Sequence, residues 1–323
     1  MLASSADNIR YNGTGIGYAG TVGSGNPGVD MGELEGFSFN QSVSKSSVNS
    51  TRNAARAKII EAVDSTEATL KWGLREQTEE NLKMVLMASA IASNNQLAGT
   101  IDQDVPTWVD DQYIDLGKLN CFSTKIAHGA VTGGPFQVGE TITGGTSSAT
   151  GKVAYVAASY VEIVSLSGTF QAGETITGGT SGATAAVSGI TTQQDVVVTS
   201  ADGATRRVQG TDYTVVPKSG FVRKLSTGGI TATDVVSCDH PALTVKTVHG
   251  LSSSTVERKV TFDTDPDDKG PRKRYTFHRV NVSADGDMTL LGDGTEVLNV
   301  SGTVIKDTTQ PSGQEYYRVD VIS

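Results

Sequence analysis

A chain of 323 residues can bury a sizeable core without disulfide or metal staples. Its 37 glycines, abundant Thr, Ser and Val, and 37% hydrophobic content indicate an all-β protein with many turns and scarce helix. A formal charge of −9 argues against a surface that grips phosphate over most of its area, and the acidity concentrates in residues 101–195, where three Lys and Arg stand against nine Asp and Glu.

Cys121 and Cys238 are too few to organise a fold of this length. Buried free thiols are the expected reading, with pairing as the alternative. His128, His240, His249 and His278 stand apart in sequence, and no His or Cys pair has metal-ligand spacing, so no metal or cofactor is expected. The start lacks a charged segment followed by an apolar one, and no run is long enough to span a bilayer. The expectation is a soluble chain made in the cytoplasm.

Residues 1–30 alternate Gly, Ser, Asn and Thr with isolated Tyr11, Ile16, Tyr18 and Val22, a weak strand pattern in a flexible arm. Residues 36–40 read as the first firm strand, with Phe37 and Phe39 on one face. Residues 41–53 are almost free of anchoring apolar side chains and read as a flexible loop. Residues 57–75 offer two strands, the second with Leu70, Trp72 and Leu74 on one face and Thr69, Lys71 and Gly73 on the other. Residues 78–90 form the one convincing helix: Thr78 suits the N-cap, Glu79 and Glu80 favour the positive end of the dipole, and Leu82, Val85, Leu86 and Ile91 recur at helical spacing. Met84 and Met87 belong to its packing, not to a cofactor box.

After Ala130 a motif is written twice, 34 residues apart: Phe136-Gln-Val-Gly-Glu-Thr-Ile-Thr-Gly-Gly-Thr-Ser, then Phe170-Gln-Ala-Gly-Glu-Thr-Ile-Thr-Gly-Gly-Thr-Ser. Each copy reads as a strand, a tight turn and a return strand, without nucleophile, base or metal ligand. Such a unit is a stacking or display element rather than a reaction centre. Between the copies, residues 152–166 supply two strands joined at Ala158 and Ser159, and beyond them residues 195–200 and 210–223 resume ordinary strand pattern with a turn at Pro217 to Gly220. The change of character at both ends marks residues 131–190 as an inserted β module of two similar halves.

Four carboxylates cluster in residues 263–270, but loop positions six and twelve hold Asp268 and Arg274 where a calcium loop of the EF-hand type needs Gly and Glu, so this is read as a solvated acidic loop. Arg272, Lys273 and Arg274, with Tyr275 and Arg279 close by, are read as charge partners of that loop rather than a nucleic-acid site. Arg206-Arg207 and Arg223-Lys224 are read as strand-edge charges. The glycines at 13, 15 and 17 lack the strand-to-helix context and ribose-binding acid of a dinucleotide fingerprint, and no Gly-x-Ser-x-Gly elbow occurs. No catalytic, cofactor-binding or metal residue is assigned, and an enzyme is not expected.

Outside the repeats, the order of Gly32-Glu-Leu-Glu-Gly-Phe-Ser-Phe39, Glu76-Gln-Thr-Glu-Glu-Asn-Leu82, Gln209-Gly-Thr-Asp-Tyr-Thr-Val215 with Ser219-Gly220-Phe221, and the stretch from Tyr275 to Thr309 resembles the tail tube (major tail) proteins of long-tailed bacteriophages. The resemblance covers about residues 1–130 and 191–323. It implies a β-sandwich flanked by one α-helix, in which inner strands close into a β-barrel within a ring. Such rings are usually hexameric and stack into a virion tail tube through which DNA passes without specific binding. Further implied partners are the terminator, the baseplate or tip and the tape measure protein; no membrane is implied. The N-terminal arm and the 41–53 loop would bridge successive rings, and the 131–190 module would lie outside the tube. The alternatives are another virion surface component, such as a tail fibre or decoration protein that uses the repeats to bind a surface, and a secreted carbohydrate-active enzyme or adhesin, which an aromatic content of 6% opposes.

Overall fold

The computed structural model of the protein describes residues 14–52, 56, 58–264 and 272–322. It is mainly β, with one short helix, and it divides into two compact units: Met1–Ser93 with Lys246–Ser323, and Asn94–Val245. In chain order the first unit begins with β1 (Gly15–Gly20), β2 (Val29–Asp30), β3 (Leu34–Asn49), β4 (Lys58–Leu74), α1 (Glu79–Val85) and β5 (Ile91–Ser93). The second unit holds β6 (Gly99–Asp104), β7 (Tyr113–Asp115), β8 (Ser123–His128), β9 (Thr141–Gly144), β10 (Thr150–Val156), β11 (Tyr160–Ser167), β12 (Thr175–Gly178) and β13 (Thr184–Gln193). It continues with β14 (Val197–Thr199), β15 (Tyr213–Val216), β16 (Phe221–Lys224) and β17 (Val235–His240). The chain then returns to the first unit with β18 (Lys246–Val248), β19 (Val256–Thr264), β20 (Arg272–Ala284), β21 (Leu298–Val304) and β22 (Tyr317–Ile322).

The first unit is built on an antiparallel sheet in the order β2-β1-β19-β20-β21-β4-β3, with β22 also paired to β20. Leu70, Trp72 and Leu74 are buried on β4, as the alternation predicts, and they join Phe277, Val280, Val282, Leu298 and Val300 in one apolar core. Phe37 stacks on Trp72 at 5.8 Å and on Phe262 at 4.6 Å, while Phe39 meets Phe277 and Tyr317, each at 5.1 Å. Helix α1 packs over this sheet through Met84 and Val85.

Four expectations for this unit are corrected. Residues 41–49 are not a loop: they continue β3, paired residue by residue with β4 from Gln41↔Ala68 to Asn49↔Lys58, because ladder hydrogen bonds hold a polar strand without apolar anchors. The two strands expected in residues 57–75 are accordingly one. Of the flexible arm, residues 15–20 form β1, sandwiched between β2 and β19, whereas residues 1–13 lie outside the described residues, as does position 53. Thr78 does cap α1, its hydroxyl accepting from the Asn81 amide at 3.2 Å, but the helix ends at Val85 instead of running to 90. Met87 turns left-handed (φ 52°), and the Leu86 and Met87 carbonyls accept from the amides of Leu251 and Ser253.

The second unit contains a closed barrel, β10-β11-β8-β13-β12-β9, and two three-stranded sheets, β14-β17-β6 and β15-β16-β7. The barrel uses residues 123–193, and the compact unit around it spans 94–245. Cutting at 131 and 190 would therefore leave β8 behind, although β8 pairs with both β11 and β13 to close the barrel. The composition shift marks where the repeats begin, not where the folding unit ends.

Ser93 and Lys246 are opposite each other in the β5–β18 pair, so the chain leaves and re-enters the first unit at adjacent points. Residues 1–93 joined to 246–323 by a short Gly-Ser turn are expected to keep a β-type circular dichroism spectrum, and residues 94–245 alone to unfold cooperatively; absence of a folded state in both would overturn the division. Leu70→Ala is expected to cost the first unit about 2–5 kcal/mol in denaturant titration, against less than about 0.5 kcal/mol for the exposed neighbour Lys71→Ala.

Candidate functional site

The repeated motif becomes intelligible once its strands are placed. Strand β9 of the first copy pairs with β12 of the second around Thr143↔Thr177, β10 pairs with β11, and β13 pairs with β8. Each half contributes three strands, and the third strand of each pairs with the first strand of the other. The halves are thus related by an approximate two-fold axis and are interlocked rather than side by side.

The one titratable residue in the motif, Glu140 or Glu174, acts across that axis. Glu174 accepts from the amides of Thr146 (3.1 Å) and Ser147 (2.9 Å) and from the Ser147 hydroxyl (2.9 Å), all in the other copy. Glu140 does the same with Thr180 (3.1 Å) and Ser181 (2.9 Å for both amide and hydroxyl). Each carboxylate also accepts an amide of its own copy, from Gln171 and Gln137 respectively, at 2.6 Å. The first glycine of each Gly-Gly pair makes room for this: a Cβ on Gly144 would lie 2.6 Å from Glu174 Oε2, and one on Gly178 2.7 Å from Glu140 Oε2. The second glycine donates its amide across the axis, Gly145 to Thr175 and Gly179 to Thr141. Ile142 and Ile176 face inward and are fully buried.

Both glutamates are buried residues. Burial raises a carboxyl group's affinity for its proton, but here the amide and hydroxyl donors outweigh it, holding Glu174 at about 2 and Glu140 below its ordinary range. The motif is a structural clamp that locks its two copies together, a role that depends on pairing between strands distant in sequence.

The two-fold relation is broken in informative places. Val153 faces Ile163 in one half, while its counterpart Val187 faces His128 in the other. Gly151 leaves room for Ile163, whose Cδ1 would lie 2.5 Å from an added Cβ, and the counterpart of Gly151 is Ala185. His128 Nδ1 donates to the Gly129 carbonyl (2.9 Å), and the ring packs edge-on against Phe136.

The arginines expected at strand edges are elsewhere. Arg206 is largely buried, with Nε donating to Glu162 at 2.6 Å and its terminal nitrogens to Tyr213, Val196, Arg207 and Asp195. Arg207 pairs with the buried Asp234. Burial pushes the Asp195 carboxyl up, against the opposing pull of Arg206. Arg223 and Lys224 lie on β16, the middle strand of its sheet, paired with Asp111 and Asp110. Arg206 and Arg207 are buried cross-links, whereas the Arg223 and Lys224 pairs involve exposed aspartates; in each case the acidic partner is distant in sequence.

Cys121 and Cys238 are free and buried in the core of the second unit; the hydrogen bond to Cys121, reinforced by burial, pushes the Cys238 thiol up. Of the acidic loop, 265–271 lies outside the described residues, but Asp263 accepts from Arg272 (3.0 Å) and Arg274 (2.7 Å), the pairing expected of that loop. Arg279 pairs with Glu257 at 2.8 Å. The glycine fingerprint candidate falls at the start of β1, with Gly13 outside the described residues. Among the described residues no group of three or more His, Cys, Asp and Glu side chains could hold a metal ion, and no helix is long and apolar enough to cross a membrane.

An exposed apolar surface lies on the far half of the β3–β4 hairpin. Val43, Val48, Ile59, Ile60 and Val63 are 52–64% exposed there, with Val48 directly opposite Ile60. Strand β3 is also the end strand of its sheet, with one row of backbone groups unpaired by any other strand of the described residues.

The chain belongs to the family described as protein of unknown function UCP028589, which matches over residues 156–320, just over half of the chain. The match begins at the end of β10, so it takes in the second half of the barrel and all that follows. No curated protein matches the sequence.

Glu174→Gln is expected to destabilise the second unit by about 3 kcal/mol at neutral pH, since three or more donors lose a charged acceptor. Because the folded-state value lies below the ordinary 4.5, the clamp's contribution is complete above that pH and is lost as pH falls toward about 2. Urea titrations between pH 5 and 2 should show wild type losing stability that Glu174→Gln does not lose; parallel pH curves would remove the clamp from the account.

Proposed function

We propose that this protein is a structural subunit of a bacteriophage tail tube, polymerising as stacked rings into a conduit for DNA. The observation that carries the reading is the exposed β3–β4 hairpin. A strand pair of 16 and 17 residues carries branched apolar side chains away from the core of its own unit, and folding of one copy does not bury them. Burial against other copies would remove that surface from water, at about 25 cal/mol per Å². The long unpaired edge of β3 offers the same partner a ladder of backbone donors and acceptors.

The resemblance in residue order supplies the identity of the assembly; the hairpin supplies a physical reason to assemble. In this reading the hairpin takes the bridging role first expected of a flexible loop, and rings are hexameric with DNA passing a neutral or acidic lumen. The tube is a component of the virion tail, its subunits are made in the host cytoplasm, and its ends meet the terminator, the tip or baseplate and the tape measure protein. The protein works without catalysis. A conduit for a polyanion functions best with a wall that offers no strong phosphate grip, and a net charge of −9 per copy suits that requirement.

Negative-stain electron microscopy of the concentrated protein tests the reading. Stacked rings with a central hole are expected for wild type, and monomers with unchanged circular dichroism for the double variant Val48→Asp with Ile60→Asp. A wild-type chain that stays monomeric at every concentration, or a variant that still forms tubes, would sink it; monomers or trimers decorating cell surfaces would favour a fibre or decoration protein.

A further inference from the structure

The register of the first unit's sheet lines up four residues from four strands: Tyr18 on β1, Thr261 on β19, Thr276 on β20 and Arg318 on β22 are consecutive cross-strand partners. Directly paired residues project from the same face. Two positions further along β19 and β20, the Asp263↔Arg274 pair lies on that face, and Lys259 is two positions the other way. A cavity of about 260 Å³ opens over this row, lined by Tyr18, Lys259, Thr261, Arg274, Thr276 and Arg318 with Asp263 and the Gly25 to Pro27 turn.

Among the described residues the charges around it do not balance. Arg274 is held by Asp263 at 2.7 Å, an acid it shares with Arg272. Arg318 meets Asp320 through Nε alone, at 3.1 Å. Lys259 has no carboxylate partner among the described residues; its ammonium donates to the carbonyls of Ser24 (2.9 Å) and Asn26 (3.3 Å). Three cations thus share one small cavity with one lining carboxylate in a chain of net charge −9. Burial and the facing Arg318 push the Lys259 ammonium down, the direction produced by crowded like charges.

A second observation is independent of charge. Thr261, one of the residues lining the cavity, is 3% exposed, and its hydroxyl has no hydrogen-bond partner among the described residues. A buried hydroxyl without a partner is costly. Thr276 beside it is likewise buried, and Tyr18 also lines the cavity.

We propose that this cavity binds a tetrahedral oxyanion of the phosphate class. The anion's oxygens accept from Thr261 Oγ1 and the Lys259 ammonium, and from the guanidinium nitrogens of Arg318 that Asp320 leaves free. Guanidinium and ammonium groups are the usual donors to such ligands. The same chemistry is offered by free phosphate and by a phosphate group on a nucleic-acid end.

Isothermal titration of the full chain with inorganic phosphate, at ionic strength held constant with chloride, tests the site. One phosphate per chain is expected. Thr261→Val, which keeps shape and removes only the hydroxyl, should weaken binding about fivefold, and Lys259→Gln about tenfold or more. Arg279→Gln, a cation paired with Glu257 away from the cavity, should leave binding unchanged. Should a variant fold poorly, phosphate protection of wild-type Lys259 from acetylation gives the same information. Competition by a 5′-phosphorylated oligonucleotide but not by its unphosphorylated form would identify a nucleic-acid end as a source, and failure to compete would identify the free anion. Heat no greater than for added chloride, or equal losses in Arg279→Gln and Lys259→Gln, would overturn the proposal.

Discussion

Backbone hydrogen bonds at strand edges set the terms for everything else in this protein. With little helix available, nearly every regular segment is a strand, and a strand at the end of a sheet leaves a row of donors and acceptors facing outward. The two units meet this constraint differently. In the second, β9 and β10 close against each other and the barrel has no edge at all. In the first, the sheet remains open and ends on β3, whose 16 residues run alongside β4 well beyond the packed core. The barrel is closed on itself, while the first unit's sheet keeps a long edge on β3 that no other strand of the described residues covers.

Closure of the barrel depends in turn on the crossed glutamates. A Thr-Ser turn with outward amides and a buried carboxylate would each be unfavourable alone; set opposite each other twice, they satisfy one another. The duplication explains why Glu, Gly-Gly and Thr-Ser recur together at one spacing: each residue type serves the other copy. Departures from the repeat are equally purposeful. Ala154 and Val164 pack with Val197 of the neighbouring sheet, whereas the position 34 residues after Ala154 is Ser188, which is exposed. Duplication built a symmetric barrel, and a handful of substitutions gave it one apolar side that docks within its own unit.

Local physics made much of this legible in advance. Alternation on β4, the Thr78 cap, the turns at Ala158 and at Pro217 to Gly220, and the strand-turn-strand form of each repeat all depend on neighbours in sequence, and all appear where expected. What failed depended on distant partners. Residues 41–49 looked unanchored because their partner strand is read separately, and Arg206 looked like a surface charge because Glu162 lies 44 residues away. Helix α1 stopped early because carbonyls at its end are taken by the amides of Leu251 and Ser253, which no helical periodicity can foresee. The border of the inserted unit was misread for the same reason: β8 carries no repeat signature, yet the barrel cannot close without it.

Charge shows most clearly how location outweighs composition. Two arginines, Arg206 and Arg207, are withdrawn into the second unit and matched by Glu162, Asp195 and Asp234, so they contribute rigidity and no outward field. Lys259, without a carboxylate partner among the described residues, and Arg318, held by Asp320 through Nε alone, sit in a similar density of charge next to a buried hydroxyl that lacks a partner among those residues. A sheet could have filled that row with Val or Ile, as the opposite face does at Val260, Phe277 and Val280, and been more stable for it. Polar groups held where apolar ones would pack better mark this row as the place in the first unit's sheet where packing alone does not account for the side chains, which is the ground of the proposed anion site.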